Sequence, residues 1–328
     1  EMCIRDRGRN LVRNYHSLGS LNTVGDLDSD NIAAVEAQYN DINTTSNLNE
    51  LLENPDIEAI AVATPSHTHY NLLKLIINAN KHVYVEKPIA THAEEAAELN
   101  KISEEKELVL MVGHLLLYHP AVNRLKMLVK EGVLGEVRYV QSDRLNVNYF
   151  KNDRSVMWDL APHDVSMIGY IIDKMPLSVK SAVGCSSDNN GIMDIVHLDI
   201  VFDDNILAHV SDSWITPAKH VTLLVRGTKA TAILDDKMTE NKLVVYDNFT
   251  SDKKTIDYPD YLEIEPLKLE CQHFLNCVKN KMKPRSDGFN GYYVVKILEE
   301  AEKIMLGGAC EVLNNIQFAA SRSKANIT

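Results

Sequence analysis

Three short apolar runs, IEAIAVATP (57–65), KHVYVEKP (81–88) and ELVLMVG (107–113), are separated by stretches with helical spacing at 67–79 and 92–106. Runs this short are strands, and strands alternating with helices of 10–15 residues form right-handed βαβ units, hence a parallel sheet. The pattern extends upstream. Leu11, Val12, Tyr15 and Leu18 recur at helical spacing after Gly8, residues 21–27 form a short apolar run ending in acid, and 31–39 is helical again. The fold class expected is α/β, a doubly wound Rossmann-type sheet over residues 8–118.

After Pro120 the pattern changes. A helix over 121–131 leads into GEVRYVQSDRLNV and then a series of strand-like runs with short turns. In DIVHLDIVF, Val196, Leu198, Ile200 and Phe202 share one parity while His197 and Asp199 share the other. One packed face and one more polar face describe a mainly antiparallel, open-faced sheet. Helices over 266–279 and 288–305 complete an α+β domain at 119–310, and 311–328 reads as a tail. Pro162 fits the first turn of a helix.

Of the 328 residues, 45% are hydrophobic and 24% charged, as in a folded globular protein, and the formal charge is -12. That charge argues against a nucleic-acid partner, which needs a basic surface. The most apolar window, 108–122, is interrupted by Gly113, His114, His119 and Pro120, too soon for a membrane span. Five cysteines without close pairing fit reduced thiols, and a cytoplasmic location is expected.

Open α/β sheets bind ligands at the carboxyl ends of their strands, so the residues after each run carry the chemistry. Gly8 opens a helix, and Asp26 follows at the end of the next strand, the spacing by which a dinucleotide fold places a helix N-terminus and a ribose-binding acid. Asp28 shares that role or forms a turn. ATPSHTHY supplies Thr64, Pro65 and His69; VEKP supplies Glu86 and Lys87. In MWDLAPHDV, Asp159 and His163 are four apart and share a helix face. His67 and His69, without a nearby carboxylate or thiol, read as first-turn polar residues rather than metal ligands.

In this order the motifs resemble the Gfo/Idh/MocA family of NAD(P)-dependent oxidoreductases, with the likeness extending over residues 8–305. The resemblance implies a catalytic group of Lys87, Asp159 and His163, with His163 as general base, Lys87 as donor to the reacting oxygen and Asp159 orienting the pair. It implies cofactor contacts at Gly8, Asp26, Thr64, Pro65, His69, Glu86 and Lys87. NAD is favoured over NADP, because the Asp26 carboxylate repels a 2′-phosphate. The family's second acid, three residues after the histidine, is replaced by Ser166, while Asp164 directly follows His163. LMVGHLLLYHPAV, RLNV and APHD resemble members acting on nucleotide-activated amino sugars, implying a UDP-N-acetylglucosamine or UDP-N-acetylglucosaminuronate 3-dehydrogenase. Candidate substrate contacts are Tyr118, His119, Arg144, Asn146 and Trp158, and a homo-oligomer, dimer or tetramer, is expected. Rival readings are an inositol or free-sugar dehydrogenase, an NAD-dependent glycoside hydrolase and a non-catalytic NAD-sensing protein.

Family members begin with a strand and a G-x-G-x-x-G turn, of which only Gly8 has a counterpart. MCIRDR also reads as the in-frame translation of a transposase adapter used in sequencing libraries, so residues 1–7 are expected to be non-native. A chain lacking the first strand would leave unpaired strand edges and a missing phosphate cradle, and is expected to bind NAD poorly or to misfold.

Overall fold

Backbone amides that pair in register decide where each apolar run ends up. The computed structural model describes residues 6–147, 155–187, 191–238, 242–250, 252–255 and 265–307; residues 1–5 and the expected tail lie outside them. Helix α1 (Asp6–Ser17) leads to strand β1 (Thr23–Gly25), then α2 (Ser29–Gln38), β2 (Asn43–Thr45) and α3 (Leu48–Glu53). Strands β3 (Ala59–Val62), β4 (His82–Glu86) and β5 (Leu110–Gly113) alternate with α4 (His69–Asn78) and α5 (Ala93–Glu105). All pairings among these five strands are parallel. β2 and α3 were not anticipated, since three extended residues and one short polar helix leave no periodic signature.

The parallel strands form two sheets, β1–β2 and β3–β4–β5. Between β1 and β3 runs a cavity of about 610 Å³, lined by Leu11 and Tyr15 of α1, Val24 of β1, Leu51 of α3 and Ala61 of β3. β4 is sealed on both faces, with Val83, Tyr84 and Val85 at 0% exposure. A fully buried Val contributes about 1.5–3 kcal/mol over an exposed one, so β4 is a firm base for the Lys87 that follows it.

Helix α6 (Pro120–Lys130) leads to β6 (Val137–Val147) and α7 (Val156–Ile172). Then come β7 (Pro176–Cys185), β8 (Ile195–Phe202), β9 (Ile206–Ser213), β10 (Ile215–Gly227), β11 (Ala230–Asp235), β12 (Leu243–Asp247) and β13 (Lys253–Thr255). Helices α8 (Pro266–Asn280) and α9 (Gly288–Met305) follow. The eight strands form one sheet in the order β13-β12-β11-β10-β6-β9-β8-β7. On β8, Val196, Leu198, Ile200 and Phe202 are fully buried, while His197 is exposed and Asp199 half-buried. The sheet is antiparallel except where β6 lies parallel to β9, because β6 enters between β9 and β10 and not at an edge. Side chains of α6, α7 and α9 cover one face.

Pro162 does not sit in the first turn of α7: the helix begins at Val156 and runs through it. Without an N–H, Pro162 cannot bond the Trp158 carbonyl, the usual partner four residues back. The neighbouring carbonyl, that of Asp159, accepts a hydrogen bond from Lys87.

Candidate active site

Lys87 leaves the carboxyl end of β4 and meets α7 broadside. Its Nζ donates to the Asp159 main-chain oxygen at 2.6 Å and lies 3.3 Å from Asp159 Oδ1, with both side chains largely buried. His163 stands one turn further along α7. Its Nδ1 is buried and has no hydrogen-bond partner among the described residues. Burial, then the nearby charges of Lys87 and Arg144, push the His163 pKa well down, so the ring is neutral. A neutral imidazole carries one N–H and one acceptor nitrogen, so it can take up a proton.

Two elements beneath this trio were missed by sequence reasoning. β4 and β5 end on the pair Glu86 and Gly113, and Lys87 and His114 are the residues that follow it. His114 is 1% exposed, neither ring nitrogen has a partner among the described residues, and burial followed by the Lys87 charge pushes its pKa down to about 3. The second element is a buried ion pair. Asp164 accepts from Arg144 Nη2 at 2.9 Å, from Arg144 Nε at 3.0 Å and from Ser142 Oγ at 2.7 Å. Asp212, opposite Arg144 in the β6–β9 register, is fully buried, and burial and then the Asp164 charge push its pKa well up. Arg144 and Ser142 therefore anchor Asp164, the residue next to His163. The adjacency of the two in sequence was the one available signal.

The cofactor-side candidates lie along the carboxyl ends of the parallel strands. Asp26 follows β1; its Oδ1 accepts from Asp28 N at 2.9 Å and its Oδ2 from Asn31 Nδ2 at 3.2 Å. Thr64 Oγ1 is 2.7 Å from Thr68 Oγ1, and Pro65 precedes a short 3-10 turn. His69 reaches the carbonyl oxygens of both Pro88, at 2.7 Å, and Thr64, at 2.9 Å. Glu86 accepts from Arg7 Nε at 2.7 Å, and Gly8 is buried in the first turns of α1. A strand-end carboxylate lies at one side of the sheet, and imidazoles without a partner among the described residues lie beside an ammonium at the other. Among the described residues no group of three His, Cys, Asp or Glu side chains is placed to hold a metal.

The substrate-side candidates are scattered. His119 caps α6, accepting from Ala121 N at 3.2 Å, and its Nε2 is 3.6 Å from Asp236 Oδ1. Arg144, read as a phosphate or carboxylate ligand, is committed to Asp164, and Asn146 is half-buried near the end of β6. Trp158 donates from Nε1 to Glu302 on α9 at 3.1 Å. Tyr118 is turned inward, 3% exposed, with its hydroxyl 3.3 Å from Ser286 Oγ and its ring walled in by core side chains.

Parallel strands ending on a ribose-type acid and a lysine, joined to an open-faced sheet, define the class of dinucleotide-binding oxidoreductases. Residues 5–114 match the model of the oxidoreductase family with an NAD-binding Rossmann fold, and residues 122–233 match the GFO/IDH/MocA C-terminal domain. The chain belongs to the Gfo/Idh/MocA family of oxidoreductases. It is 24% identical over 296 residues to UDP-N-acetylglucosamine 3-dehydrogenase of Acidithiobacillus ferrooxidans, covering 88% of this chain and 90% of that one. It is likewise 24% identical over 246 residues to the NAD(+)-dependent scyllo-inositol 2-dehydrogenase of Bacillus subtilis, covering 72% and 71%. A crystal form of the Acidithiobacillus enzyme superposes with a TM-score of 0.79 at 23% identity, over 92% of this chain and 94% of that one, which is a likeness of fold.

Proposed function

We propose that the protein transfers a hydride between a secondary alcohol of a sugar and nicotinamide, with residues 8–118 holding the cofactor and 119–310 the substrate. The observation that carries this reading is the Lys87 contact with Asp159, one helical turn before a neutral, part-buried His163. When bound, NAD accepts the hydride. His163 takes the hydroxyl proton on its ring, while Lys87 donates to the oxygen as its negative charge develops. Asp159 holds Lys87 in place. NAD is proposed over NADP, supported by the carboxylate of Asp26 at the end of β1, which would repel a 2′-phosphate.

The substrate proposed is UDP-N-acetylglucosamine or its uronic acid, supported by the near full-length likeness to an enzyme named for oxidising that nucleotide sugar. A polyol is the second reading, favoured by equal identity to the inositol dehydrogenase. The working form is a homo-oligomer in the cytoplasm; the sheet face left open among the described residues supports the first, and the free buried thiols Cys271 and Cys277 the second. No helix among the described residues is long and apolar enough to cross a membrane.

The test incubates the protein with NAD or NADP and each of UDP-N-acetylglucosamine, its uronic acid, myo-inositol and glucose, following reduced-nicotinamide absorbance. The expected result is a signal with NAD and the two UDP-sugars alone. A signal confined to free polyols discards the nucleotide-sugar assignment and keeps the hydride chemistry. Cofactor that stays bound through glycoside cleavage without net reduction discards the dehydrogenase reading.

A further inference from the structure

We propose that Glu270 is a positioning residue for Lys87: acting through Tyr84, it closes a buried hydrogen-bond chain onto Glu86 and so fixes the strand end from which Lys87 projects. The proposal rests on the reading of Lys87 as donor to the reacting oxygen. On β4, Tyr84 packs among side chains of α1 and α8, whereas Val83 and Val85 pack toward α4 and α5. Glu86, two residues on, shares the Tyr84 face. Tyr84 Oη lies 3.1 Å from Glu86 Oε1 and 3.1 Å from Glu270 Oε2. Glu270 sits on α8, so the chain ties a helix near the end of the protein to the last residue of β4.

Counting hydrogens gives the protonation state. A phenol carries one O–H and can donate it to one acceptor. With both carboxyl groups ionised, the second of the two contacts would set lone pair against lone pair. One carboxyl group therefore holds a proton, and it is that of Glu270. Its side chain is 0% exposed, against 11% for Glu86, and Arg7 Nη2 is 3.8 Å from Glu270 Oε2 while Arg7 Nε is 2.7 Å from Glu86 Oε1. Glu270 Oε1 has no partner among the described residues, which the carbonyl oxygen of a neutral acid tolerates far better than an ionised group. Burial, then the Glu86 charge, pushes the Glu270 pKa well up, and burial does the same for the Tyr84 hydroxyl. Tyr15, Cys271 and Tyr118 are the further titratable side chains that feel Glu270. The acid O–H of Glu270 thus donates to Tyr84 Oη, and Tyr84 donates to Glu86.

The neighbouring strand leaves room for this chain. Gly113 of β5 pairs with Glu86, and a Cβ there would stand 2.7 Å from Tyr84 Oη and 3.2 Å from Glu86 Cδ. The two side chains lie across the glycine, so the grip on Glu86 is set by packing as well as by hydrogen bonds. Side chains held in this way lock the backbone that presents the next residue, Lys87.

The experiment compares wild type with Glu270→Gln, Glu270→Leu and Tyr84→Phe in the full chain. Infrared difference spectra, wild type minus Glu270→Gln, should show at neutral pH the carbonyl stretch of a protonated carboxylic acid. In lysine-labelled protein the NMR signal of Lys87, assigned by its loss in Lys87→Met, should move in Glu270→Leu and in Tyr84→Phe. It should stay in place in Glu270→Gln, whose amide still donates to Tyr84. Turnover should fall about 10- to 100-fold in Glu270→Leu, the cost of a small misplacement, with KM held within about twofold and most of the loss rescued by Gln. Absence of the protonated-acid band, a Lys87 signal unmoved by loss of the chain, or equal effects of Gln and Leu would overturn the proposal. Tyr84→Phe keeps the ring and decides the matter if Glu270→Leu fails to fold. The infrared and NMR readings need no turnover, so failure of the hydride-transfer reading and failure of this one are told apart.

Discussion

His163→Ala is expected to lower turnover about 10²- to 10⁴-fold, the usual worth of a positioned general base, while cofactor affinity stays within about twofold. The ring is part-buried, and that desolvation, followed by the charges of Lys87 and Arg144, keeps it unprotonated. A base already neutral needs no deprotonation at neutral pH, so kcat/KM should be flat there and fall only as pH drops below the ordinary histidine value near 6.5. Lys87→Met removes the donor and the second-largest cause of the shift. It should cut turnover and also move the acid limb of the residual activity to higher pH. The measurement is kcat/KM against pH for wild type and both variants. Full activity in His163→Ala would sink the assignment, and an unmoved acid limb in Lys87→Met would show that the two side chains are not electrostatically linked.

Arg144→Met should destabilise the fold by about 3–5 kcal/mol, because removing one partner of a buried pair leaves an uncompensated charge. The charge left behind is that of Asp164, 0% exposed, with Asp212 beside it also at 0%. Urea denaturation measures the loss, and Asp164→Asn in the Arg144→Met background should recover part of it. A loss below about 1 kcal/mol, the range of surface pairs, would mean that Arg144 is free to serve a substrate instead. Asp212 adds a pH signature. Its folded pKa is raised, so its contribution is fully present below the unfolded value near 3.9 and is lost as pH rises through the folded value. Asp212→Asn, which keeps the neutral shape, should therefore gain stability over wild type progressively as pH increases from about 4.

Most of the fold was legible because local pattern and long-range pairing agreed. The β8 parity identified Val196 through Phe202 as the packed face, and the alternation of short runs with helices identified the parallel strands. What local pattern could not show was register between distant segments. β6 lies beside β9, more than 60 residues later, and nothing in GEVRYVQSDRLNV says so. Pro162 was misplaced because a proline seven residues into a helix looks, in sequence, like one at its start. In the site, spacing pointed to Asp159 and His163, and the EKP resemblance brought in Lys87. His114 stayed hidden as a polar break in an apolar window, because its meaning comes from the β4–β5 register. Arg144 looked like a free cation because Asp164, its partner, is 20 residues away in sequence.

The His69 ring spans the carbonyl of Thr64, just past β3, and that of Pro88, just past Lys87. Two successive strand ends are thereby bolted into one mechanical part. The turn that follows β3 is thereby tied, through one side chain, to the backbone that carries Lys87.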